Sequence, residues 1–126
     1  MSFQGYKDIK AFQSSYQLAM EIFELTKNYP KEEKYSLVDQ IRRSSRGVPS
    51  NIAEAWKKRR YQKMFISKII DSFDEAGETE VWLNFAKDCG YLLSSDFDRL
   101  IRGYDEVNRM LNGMIEKADR FCIYKE

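Results

Sequence analysis

Histidine is absent from all 126 residues. Its absence removes Ser-His-Asp and Cys-His nucleophile arrangements, His-based zinc sites and the Glu-x-x-His ligands of di-iron helix bundles. Cysteine occurs only at Cys89 and Cys122, too few for a disulfide framework or a structural zinc site. A reducing cytoplasm is the simplest home for such a chain. Six glycines and two prolines are too few for the turns of an all-β domain. The glycines are isolated, so no Gly-rich phosphate loop is present. No apolar run approaches the roughly 18 residues of a membrane span. The opening Met1-Ser2-Phe3-Gln4-Gly5-Tyr6-Lys7-Asp8 lacks the apolar stretch of a secretory signal. These absences point to a non-enzymatic protein with no cofactor and no metal, leaving only carboxylate, lysine or tyrosine chemistry open.

What the chain does contain is apolar mass and balanced charge. Hydrophobic residues make up 43% and aromatic residues 14%, enough for a core and against intrinsic disorder. The length fits one domain spanning 1–126.

Helical periodicity runs through it four times, at about 8–28, 32–57, 61–89 and 96–121. In the first stretch Ile9, Phe12, Tyr16, Ala19, Phe23 and Thr26 recur at helical spacing, with Leu18, Ile22, Leu25 and Tyr29 as a second row. Pro30 ends that helix, because a residue before proline is pushed out of the α region. The second carries Leu37, Ile41, Ser44, Val48, Ile52 and Ala55 on one side. Pro49 falls inside it and predicts a kink, since it removes one backbone hydrogen bond and crowds the Ser45 carbonyl.

The third stretch aligns Phe65, Ile69, Ser72, Ala76, Thr79, Leu83 and Ala86, and Gly90 suits the position past its end. Ser95-Asp96-Phe97-Asp98 reads as a capping box that opens the fourth. There Phe97, Leu100, Tyr104, Val107, Leu111, Met114, Ala118 and Phe121 repeat without a break. Helices of this length are roughly 30–42 Å long at 1.5 Å per residue. Short connections make neighbours antiparallel, so the expected fold is all-α, an up-down-up-down four-helix bundle.

The apolar pattern is wider than one core needs. Ile66, Ile70, Phe73, Val81, Trp82 and Phe85 add a second face to the third helix, and Ile101, Ile115 and Cys122 widen the fourth. A wide stripe suggests burial on two sides and hence a homo-oligomer; a fat aromatic core is the other reading.

Charge is unevenly spread. From Ile41 to Lys63 eight bases face only one acid, Glu54, giving +7; the remaining 13 bases and 19 acids give −6. Lys57, Lys58, Arg59, Arg60 and Lys63 are the candidate nucleic-acid contacts, acting on phosphates, at the expected turn between the second and third helices. Trp56 and Tyr61 flank this run and suit either base stacking or packing on the bundle end. The plainer reading of the basic segment is a solvated helix end with internal ion pairs. Asp71, Asp74, Glu75 and Glu78 share one face of the third helix. Their expected role is structural pairing of Asp71, Glu75 and Glu78 with Arg42, Arg43 and Arg46, ahead of metal binding, because an arginine fork meets carboxylates bidentately.

Tyr29-Pro30-Lys31-Glu32-Glu33-Lys34-Tyr35-Ser36-Leu37, Gln40-Ile41-Arg42-Arg43-Ser44-Ser45 and Val48-Pro49-Ser50-Asn51-Ile52-Ala53-Glu54 form a recognisable set. Ser72, Glu75-Ala76, Glu78-Thr79, Trp82-Leu83 and Gly90-Tyr91 continue it. Over about Asp8 to Ala118 the chain resembles the four-helix bundle family named for the 23S rRNA intervening-sequence protein. Ala55 stands where many members carry glycine. The resemblance implies a bacterial cytoplasmic protein without enzymatic activity, assembled as a homopentamer. A related branch, the accessory variability proteins of retroelements, implies RNA or DNA, or a nucleic-acid-processing protein, as partner. A purely protein-binding module is the alternative.

Overall fold

The structure, a computed structural model, describes residues 3–123; the outermost residues of the expected 1–126 domain lie outside it. Four α-helices make up most of it: α1 (Lys10–Thr26), α2 (Leu37–Lys57), α3 (Gln62–Asp88) and α4 (Ser94–Glu116). Short 3-10 turns at Tyr6–Asp8, Lys31–Glu33 and Ala118–Arg120 flank them. No helix among the described residues is long and apolar enough to cross a membrane.

Cross-helix contacts fix the topology. Ser44 meets Thr79 while Val48 meets Ser72, so α2 and α3 run in opposite directions. Arg99 of α4 bonds Glu21 of α1, and Gly103 lies against Leu18, again in opposite senses. Asn108 reaches back to Glu80 across α4 and α3. Each helix packs on its chain neighbours and α1 closes on α4, which is the expected up-down-up-down four-helix bundle.

The stripes of α2 and α3 are buried at every expected position: Leu37, Ile41, Ser44, Val48, Ile52 and Ala55 face Phe65, Ile69, Ser72, Ala76, Thr79, Leu83 and Ala86. α2 continues unbroken through the buried Pro49. Small residues let this pair close up, and hydroxyls tie it: Ser72 Oγ donates to the Val48 carbonyl at 2.8 Å and Thr79 Oγ1 to Ser44 Oγ at 2.8 Å. Both bonds are buried, where an unmade partner would be costly. In α4 the expected row from Leu100 to Ala118 is buried, while its outer members Phe97 and Phe121 are half-buried. Tyr104 is fully buried with its hydroxyl unpartnered among the described residues, and burial pushes its ionisation well up.

Four expectations are corrected. The buried row of α1 is Ala11, Ser15, Ala19, Ile22 and Thr26; Phe12 and Phe23 move to the flank and Tyr16 is exposed. α2 begins at Leu37 and not at 32, because Lys31–Glu33 closes a 3-10 turn after Pro30. There the hydroxyls of Ser36 and Tyr91 donate to Glu33 at 2.7 and 2.9 Å, holding its carboxyl below the usual range. α4 begins at Ser94 after Leu93, so Ser95 lies inside the helix and no side chain caps it. It also ends at Glu116, with a 3-10 turn continuing over Ala118–Arg120 in place of regular helix to 121.

Candidate nucleic-acid interface

The run from Lys57 to Lys63 forms the end of α2, the connection and the first turn of α3. Trp56 is buried and edges onto the Phe3 ring at 6.1 Å. Phe3 stacks on Phe121 at 5.3 Å, and Phe121 on Phe65 at 5.4 Å. This aromatic stack gathers the start of the chain, the end of α2, the start of α3 and the segment after α4 at one end of the bundle. The Ile123 amide donates to the Arg59 carbonyl at 2.9 Å and holds the connection from outside. Of the two roles open to Trp56, packing is the one the structure realises.

The five candidate contacts are not equivalent. Lys57, Lys58, Arg60 and Lys63 are exposed. Arg59 is half-buried: its guanidinium lies 3.9 Å over the Trp56 ring and donates to the Trp56 carbonyl at 2.9 Å. It braces the turn, a use that suits a planar, weakly hydrated cation. Exposed Lys10, Lys117 and Arg120 stand at the same end, on the start of α1 and the segment ending α4. They are invisible to a local charge count because they come from opposite ends of the chain; only the antiparallel topology brings them beside the α2–α3 turn.

The expected arginine–carboxylate pairing between α2 and α3 is not what forms. Arg42 turns toward α1: Nε donates to Thr26 Oγ1 at 2.9 Å, Nη2 to the Phe23 carbonyl at 3.3 Å, and the guanidinium covers the Phe23 ring at 4.7 Å. Arg46, one turn on, faces the same ring at 5.7 Å. Asp71 pairs with Lys68 at 3.3 Å, and Lys68 also holds Glu54 at 2.7 Å. That contact with Glu54 keeps the Lys68 ammonium protonated above its ordinary range. Glu75 lies against Gly47, in the space a side chain at 47 would fill. Burial, then the neighbouring Glu78, raises its carboxyl, and the Arg43 charge opposes the shift without an ion pair. Glu78 stays exposed. Among the described residues no cluster of three or more cysteine, aspartate or glutamate side chains is arranged to hold a metal ion.

The second apolar face divides between the helices. Ile101 and Ile115 on α4, and Cys122 in the segment after it, are half-buried against the core. On α3, Ile70, Val81 and Phe85 stay about half exposed, at 46%, 53% and 53%.

A family model described as 23S rRNA-intervening sequence protein matches residues 7–113. The chain belongs to this family. A solved structure titled as a protein of unknown function from the S23 ribosomal protein family of Bacteroides thetaiotaomicron superposes with a TM-score of 0.76 at 28% identity. The match covers 84% of this chain and 95% of that one. No curated protein matches. The family match runs from the 3-10 turn before α1 into the last turn of α4, so it takes in the basic turn and most of the helices around it.

Proposed function

We propose that this family member is a non-enzymatic oligomeric scaffold, a homopentamer, whose basic end binds nucleic acid or a nucleic-acid-associated protein. The observation that carries the reading is the exposure of Lys57, Lys58, Arg60 and Lys63 on one connection, beside Lys10, Lys117 and Arg120. The donors are long and flexible, and no base-reading motif accompanies them, so the contact is with phosphates and is indifferent to sequence.

The scaffold part rests on α3. Its exposed Ile70, Val81 and Phe85 sit beside exposed Asp74 and Glu78. A groove between α1 and α2, of about 330 Å³, presents exposed Tyr16 and Met20 next to Arg46. The two surfaces differ in shape and complement each other in charge, the arrangement of a head-to-tail contact that closes into a ring. A ring repeats the basic turn on one face and multiplies weak phosphate contacts.

The test is binding of single-stranded RNA across a salt series. The log–log slope is about −0.7 per phosphate contact. Changing Lys57, Lys58, Arg60 and Lys63 together to Gln flattens the slope; Arg59 is kept because it braces Trp56. An unchanged slope overturns the assignment of this turn. Absence of binding by the wild type at low salt leaves the purely protein-binding module, which the exposed α3 residues also suit. Light scattering decides the assembly, and a stable monomer of 15.0 kDa overturns it.

A further inference from the structure

A cavity of about 790 Å³ opens between the start of α1 and the end of α4, away from the exposed face of α3. Its volume is in the range of small-molecule sites. Ile9, Ala11, Met110 and Met114 form an apolar lining, and Phe3 and Phe121 stand among its walls as a stacked pair. Methionines suit a cavity that adapts to a flexible guest. Lys10, Lys117 and Arg120 also line it, with Asp8 as the one acid among the described residues. Asp8 is engaged locally, accepting the Gln4 amide at 2.7 Å. Three cations against one carboxylate leave two positive charges beside an apolar chamber, which complements the charge of a phosphate monoester at neutral pH.

The lining also discriminates among phosphate esters. Among the described residues it offers no hydroxyl and no amide side chain to a guest, and its polar side chains are the charged ones just named. A nucleobase would bury ring nitrogens and carbonyls there without partners, at a cost that a hydrocarbon avoids. We propose that this cavity binds an alkyl or acyl phosphate, its chain along Met110 and Met114 and its phosphate between Lys10, Lys117 and Arg120. The site shares Lys10, Lys117 and Arg120 with the basic end of the nucleic-acid reading, but that reading stands or falls on the α2–α3 turn and this one on the chamber, so each fails on its own test.

Gly113 provides a plug. It lines the cavity, and a Cβ built on it meets nothing within 4 Å. In Gly113→Leu the new side chain enters the open space beside Met110 and Met114 and takes up part of the chamber, and the helix loses a residue of poor helix propensity. Decyl phosphate, used below its micelle concentration, is the probe in isothermal titration calorimetry with the full chain. The expected result is one site per chain for decyl phosphate and none for inorganic phosphate or adenosine monophosphate.

Gly113→Leu weakens decyl phosphate binding more than tenfold while circular dichroism shows an unfolding midpoint no lower than wild type. Lys117→Gln combined with Arg120→Gln, both exposed changes that spare the core, weakens it about tenfold, equivalent to about 1.4 kcal/mol. If Gly113→Leu does not fold, the charge variant decides. No binding by the wild type, equal binding of adenosine monophosphate, or decyl phosphate affinity unchanged in the folded variants each overturns the proposal.

Discussion

Two opposite seams of the bundle, α2–α3 and α1–α4, are built differently. Between α2 and α3 serine, threonine and alanine alternate with the large apolar side chains, and the Ser72 and Thr79 hydroxyls are buried and bonded across the seam; a Lys68–Glu54 pair lies only at its edge. Between α1 and α4 the polar contact is at the surface: Arg99 bridges Glu21 of α1 and Asp96 of its own helix, with half of its side chain in water. Small side chains bring two helix backbones close but leave little room for error. An exposed charge pair tolerates movement and is screened by salt. The α2–α3 pair therefore fixes register, and α1 and α4 complete the core around it.

Overfilling the tight seam breaks this contrast most severely. Ala76 is fully buried on the α3 face between Ser72 and Thr79. Ala76→Leu is expected to lower stability by about 2–3 kcal/mol in denaturant unfolding, as the helices are forced apart. Removing one buried hydroxyl without changing shape comes next. Thr79→Val leaves Ser44 without its cross-helix donor and costs about 1–2 kcal/mol. Arg99→Gln on the other seam is the matched control and leaves the midpoint unchanged at high salt.

The smallest effect sharpens the same contrast through pH. The folded chain raises the Glu75 carboxyl above its ordinary 4.5, so the native state holds that proton more tightly than the unfolded chain. The resulting penalty is fully present above the raised value and absent below the ordinary one. Glu75→Gln removes it. The variant is expected to be more stable than wild type at pH 7 by less than about 1 kcal/mol, because the group is partly in water. The advantage vanishes as pH falls through the raised value to below 4.5. A gain that persists in acid would assign the effect to packing against Gly47.

The sequence made the α2 and α3 stripes legible because their small polar members kept helical spacing; Ser44, Ser72 and Thr79 belonged to the rows despite their hydroxyls. The α1 row departs from its spacing because its largest side chains lie off the core axis: Phe12 packs at the core's edge, Phe23 is half-buried and Tyr16 is exposed. Smaller Ala11 and Ser15 face the core, since Phe23 is needed as a platform for Arg42 and Arg46. Spacing showed that those two arginines share a face, but not which neighbour the face meets. That choice is set by the rotation of α2 in the bundle, which is a tertiary property. The basic turn was visible as a charge run. The bracing of Arg59 on Trp56, and the cavity built from both ends of the chain, required the fold.

The aromatic stack of Phe3 and Phe121, with the Ile123 bond to Arg59, has a consequence for handling the protein. It brings both described ends of the chain beside the basic turn. A fusion partner or affinity tag joined close to either described end is therefore attached beside the surface whose binding is to be measured. Cys89, exposed just before the Gly90 turn, lies at the other end of the bundle. Coupling through that thiol attaches the molecule to a sensor or dye with its cationic end facing the solution.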